Sequence, residues 1–182
     1  MNDSDERGDA VLVGCLESCE RLLGVADSLT REQYCACWKA RNGIGPHLRH
    51  CYEHLAALCQ GLNEGCIRYD ARARDSHIEQ DPVAFKQAMD PVVAWMRSLA
   101  GADLDQPLTV CQIPRIDALE SVSDSTLRRE LLFLTSHTIH HLAIVGMLAE
   151  VQGVILPREL GVAYSTTTHE HQQRIISPSS LD

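Results

Sequence analysis

Apolar residues recur at helical spacing in four long stretches of the chain. From Asp9, a plausible N-cap, the positions Val11, Leu12, Cys15, Leu16, Cys19, Leu22 and Leu23 share one face and predict a helix ending near Gly24. A linker containing Tyr34 and Trp38 follows and ends in Asn42-Gly43-Ile44-Gly45-Pro46. Pro46 suits the first turn of a second helix, where its missing N–H is not needed. That helix runs through Leu48, Cys51, Leu55 and Leu58 to about Leu62. Residues 63–80 are polar and read as a loop. Asp81-Pro82 then supplies an N-cap and an N1 proline for a third helix, carried by Phe85, Met89, Val92, Val93, Met96 and Leu99 to Gly101, with Pro91 expected to kink or split it. Leu108–Ile113 and Ala118–Val122 are short extended segments that could form a hairpin. A fourth helix is predicted from about Thr126 to Gln152, closed by Gly153 as a C′ glycine. Beyond it the periodicity is lost.

Four long amphipathic helices predict an all-α protein, a helical bundle with long crossover connections and a small hairpin between the third and fourth helices. The domain reading is an acidic extension over residues 1–8, a bundle over 9–164 and a tail over 165–182.

Length and composition sharpen this picture. At 182 residues and 45% hydrophobic, the chain has enough apolar residue for a core without disulfide or metal staples. Sixteen Lys and Arg against 25 Asp and Glu give a net charge of -9, a poor match for phosphate backbones or anionic lipid, so no nucleic-acid or membrane partner is expected. The longest apolar run, Leu142–Ala149, is far short of the roughly 20 residues a bilayer requires. The acidic N-terminus is unlike a secretory signal. Eight cysteines without a CxxC, several at core positions of helices, then point to reduced thiols and a cytoplasmic location.

The chemistry lies in the nine histidines. His47, His50 and His54 fall at i, i+3 and i+7 on the second helix, within about 60° of one another. His137 and His141 are one turn apart on the fourth helix, a spacing at which two imidazoles reach one metal. Two histidines from one helix and one from a facing helix make a three-nitrogen site that leaves a coordination position open, as catalytic rather than structural metals require. The alternative is a set of packed or solvated histidines with no ion. Thr138 stands where an HExxH protease would carry its glutamate, so that class is excluded.

The stretches GIGPHLRHCYEHL (43–55), YDARARD (69–75), SHTIHH (136–141) and QGVILPRELGVAYST (152–166), taken in order, resemble the DinB-like superfamily, also described as YfiT-like metalloenzymes. The resemblance covers roughly residues 10–168. It implies a four-helix fold and one divalent ion (Zn, Ni or Fe), held by His50, His137 and His141, with His47 or His54 competing for the second-helix position. His140 and Glu130 are candidates to orient a ligand from behind. The resemblance further implies a thiol S-transferase chemistry, or a thiol-dependent isomerisation, in which a low-molecular-weight thiol is activated against a small-molecule electrophile. Arg72 and Arg74 either bind an acidic thiol at the site mouth or pair with neighbouring aspartates. A non-catalytic metal-binding protein and a metal-free dimerisation scaffold are the competing readings, and a homodimer is the default assembly.

Overall fold

The computed structural model describes residues 9–37 and 43–176. In chain order the elements are α1 (Ala10–Ser28), α2 (Arg31–Cys35), α3 (Ile44–Glu64), β1 (Cys66–Arg68), α4 (Ser76–Gln80), α5 (Pro82–Ser98), β2 (Pro107–Gln112), β3 (Ser121–Thr126), α6 (Leu127–Val151), a 3-10 turn (Arg158–Gly161) and α7 (Tyr164–Ile176). The protein is mainly helical, with one small three-stranded sheet.

Helix starts follow local chemistry. The side chain of Asp9 accepts from Val11 N at 2.9 Å, Asp81 from Val83 N at 2.8 Å ahead of Pro82, and Thr126 from Arg129 N at 3.2 Å. Thr30 and Gln33 form a reciprocal capping box on α2. Gly65, with φ 74°, adopts the left-handed conformation that closes α3. Pro91 neither splits nor ends α5, which is continuous from Pro82 to Ser98. The proline lies on the solvent side, and so does Gln87, the residue whose carbonyl loses its helical donor.

The long helices α1 and α3 each pack against both α5 and α6. The core between them is built from Cys15, Cys19 and Leu22 of α1, Leu48, Cys51 and Leu55 of α3, Phe85, Met89 and Met96 of α5, and Leu131, Leu142 and Val145 of α6. By length and composition alone α6 could cross a bilayer, its most apolar 18-residue window having a mean hydropathy of 1.5. The longest unbroken apolar run did not reveal this, because histidines and threonines interrupt it. In this fold its buried leucines are part of the bundle core.

An antiparallel pair, β2 and β3, is present with Val110 opposite Ser123; its first strand lies where expected, but the second, expected over Ala118–Val122, lies at Ser121–Thr126. β1 lies inside the polar stretch 63–80, where a loop is expected, and adds to the sheet in parallel with β2, with Ile67 opposite Val110. Three residues inside a polar stretch are too few to show an alternating pattern. The sheet order is β1-β2-β3, so β3 is an edge strand, and its middle residues are exposed. The stretch from Tyr164, read as a tail without pattern, is helical to Ile176. Tyr164 packs on α1: its O–H donates to Gly14 O at 3.2 Å, and the Arg21 guanidinium lies over its ring.

Candidate metal centre

The helices α3 and α6 lie face to face and bring five imidazoles into one contiguous group. Ring centroids are 4.3 Å apart for His50–His54, 4.4 Å for His54–His137, and 4.6 Å for both His50–His141 and His137–His141. Among the described residues, the ligand nitrogens of His50, His54 and His137 all lie within 4.8 Å of one another. That is close enough for small side-chain rotations to bring all three onto one ion. The His137 Nε2 is buried without a hydrogen-bond partner. An orphaned buried imidazole nitrogen is costly, and an ion at this place removes the cost. The residues therefore fit a divalent cation, and their imidazole donor set is compatible with Zn, Ni or Fe.

The rings of His50, His137 and His141 are thus brought together, with His54 contributing to the three-donor group from within the same cluster. His141 has a second partner, its Nδ1 lying 2.9 Å from Nδ1 of His47. His140 is exposed and touches the cluster only through the His141 ring, at 5.4 Å.

Charge and burial set the protonation state. Burial is the largest cause of a lowered pKa in each case, pushing His50 down to about 2, His141 to about 3, and His54 and His137 to about 4. Repulsion from neighbouring imidazoles and from Arg72 adds to it. At neutral pH all four are uncharged, the form that can ligate a metal.

Arg72 reaches into the same space. Its Nη1 lies 2.8 Å from His50 Nδ1, and 2.8 Å and 3.1 Å from Nδ1 and Nε2 of His54. His54 Nδ1 lies 2.8 Å from the His50 carbonyl, so the tautomer that donates there leaves Nε2 to accept from Arg72. Arg72 Nε is buried and unpartnered, and burial lowers the guanidinium pKa. The loop around Arg72 is not paired with itself. Arg68 pairs with Glu120, Asp70 accepts from Ile113 N at 2.6 Å, and Asp75 caps α4 at His77 N. Arg74 is exposed, in a left-handed conformation at φ 52°, and does not join the cluster.

Glu130 is fully buried and accepts from Tyr69 O–H at 2.7 Å, from Ser125 and from Arg129. Its connection to the imidazoles runs through Tyr69, whose ring stacks on His54 at 5.4 Å and 21°. Burial and Glu130 raise the Tyr69 pKa, holding the phenol as a donor. Tyr69 was not singled out in the sequence; the signal available was its place at the head of YDARARD. A cavity of about 320 Å³ adjoins Arg72 and is lined also by Tyr52, Glu53, Gln60, Cys66 and Arg68.

No protein-family model matches the chain. It is similar to FK506-binding protein 5 of Rhizopus delemar, at 29% identity over 108 residues, which is 59% of this chain and 28% of that protein. The chain therefore spans less than a third of the length of that relative.

Proposed function

We propose that this protein is a DinB-like, divalent-metal-binding helical protein, and that it acts as a metal-dependent enzyme of thiol S-transferase type on a small electrophile. The observation that carries the reading is the convergence of His50, His54 and His137 from two facing helices around the unpartnered His137 Nε2. A divalent ion held by these imidazoles would lower the pKa of a bound thiol or water toward neutrality. The chain's own residues supply the rest. Burial keeps the imidazoles neutral, Tyr69 fixes the His54 ring by stacking, and the adjoining cavity offers room for a small substrate beside two arginines. Arg68 and Arg72 suit the carboxylates of an acidic low-molecular-weight thiol.

A second reading, a metal-free or non-catalytic histidine cluster, is favoured by one observation: Arg72 already donates to His50 and His54. Elemental analysis of protein purified without an affinity tag separates the two. About one equivalent of metal, lost on His137→Ala, is the expected result. Less than a tenth of an equivalent, unchanged in the variant, overturns metal binding. A screen of thiols against model electrophiles then tests the chemistry, and no turnover with metal-loaded protein rejects the transferase.

A further inference from the structure

Cys66 in β1 and Cys111 in β2 lie outside the histidine cluster. Their register is diagonal: Cys66 pairs with Thr109, and Arg68 pairs with Cys111. Residues paired across two strands share a face, and so do residues two apart on one strand, so both sulfurs lie on the same side of the sheet. Their Sγ atoms are 2.8 Å apart. A disulfide has its sulfurs about 2.05 Å apart, so less than an ångström of sulfur travel separates this contact from a bond.

We propose that Cys66 and Cys111 form a reversible disulfide between β1 and β2, made by a small hydroperoxide entering through the cavity beside Arg72. The two thiols have unequal access. Cys66 is half-buried and lines the cavity of about 320 Å³, whereas Cys111 is buried. A peroxide in the cavity meets Cys66 rather than the buried Cys111, so Cys66 is the attacking sulfur and Cys111 the resolving one. Arg68 stands opposite Cys111 in the register and lines the same cavity as Cys66. Three other cysteines, Cys15, Cys19 and Cys51, are buried in the bundle core.

In the first step the Cys66 thiolate attacks the hydroperoxide. An S–O bond forms, the O–O bond breaks, the peroxide is reduced to an alcohol or water, and the sulfur is oxidised to a sulfenic acid. Cys111 then attacks that sulfur. The S–S bond forms, the S–O bond breaks, and hydroxide leaves as water with the Cys111 proton. Two thiols and one hydroperoxide become one disulfide, one alcohol and one water. A thiol reductant reverses the bond. The proposal does not rest on the metal reading.

The test is peptide mapping of the reduced full chain after one equivalent of hydrogen peroxide. The expected result is a single linked peptide pair carrying Cys66 and Cys111, with two of the eight thiols lost and both recovered with dithiothreitol. In Cys111→Ser, Cys66 is expected to accumulate as sulfenic acid and take a dimedone label. Both cysteines remaining alkylatable after tenfold excess peroxide, or either joined to a different cysteine, overturns the pair. The mapping uses the unmodified sequence, so the outcome does not depend on the variant folding.

Discussion

Arg72 illustrates how one side chain can decide the state of a site. Its guanidinium lies where an ion shared by His50 and His54 would carry its charge. Two cations do not share such a space, so ion binding requires Arg72 to withdraw, and Arg72 also lines a cavity of about 320 Å³. Arg72→Met keeps much of the stem and removes the charge. It is expected to tighten metal binding about tenfold, roughly 1.4 kcal/mol, measured by competition with a chromophoric chelator. Unchanged or weaker affinity would show that the guanidinium does not compete. Much of the site was legible at this scale, because helical spacing alone puts His47, His50 and His54 on one face and His137 and His141 on another. Spacing could not choose between His54 and His141. That depends on the His47–His141 contact and on the His54 bond to the His50 carbonyl, both set by side-chain rotation. Tyr69 was hidden for a different reason: it follows a three-residue strand that depends on remote partners, β2 and the α3 helix, rather than on a local pattern.

Elements with their own start and stop signals were the readable ones. The N-caps at Asp9 and Asp81 and the turn at Gly153 act within a few residues, so sequence alone locates them. The short helices α2 and α4 carry local N-cap signals at Thr30 and Asp75 but no apolar periodicity, and they are stabilised from outside, for example by Tyr34 O–H donating to Ile78 O at 2.8 Å. The joint between α3 and β1 has a similar character. A Cβ at Gly61 would sit 2.7 Å from Ile67 Cα and 2.9 Å from Cys66 O, so the glycine lets the strand lie against the helix. Gly61→Ala is expected to destabilise the fold by about 1–3 kcal/mol in chemical denaturation, because the obstacle is backbone. Gly24→Ala, with nothing within 4 Å, is the control, expected to be neutral or stabilising by up to ~1 kcal/mol. Equal losses for the two variants would contradict the close approach.

For the molecule as a whole, the imidazole cluster links stability to acidity. The folded-state pKa values of about 2 to 4 lie below the ordinary histidine value near 6.5, so the unfolded chain binds more protons as pH falls. This contribution is fully present above about pH 6.5 and is lost progressively on acidification toward the folded pKa values. Chelator-treated protein is therefore expected to melt at a lower temperature at pH 5 than at pH 7.5, with His50→Gln flattening the slope. Equal melting temperatures would refute the link. The mainly helical architecture was visible in the apolar periodicity; the third strand was not, since parallel pairing joins residues 66–68 to a segment some forty positions away. The sheet's outer border has a consequence for crowded solutions. β3 reads SVSDST, with Asp124 exposed near its middle. A neighbouring molecule zipping on there would have to strip water from that carboxylate, so the polar hem discourages runaway strand-by-strand growth into fibres.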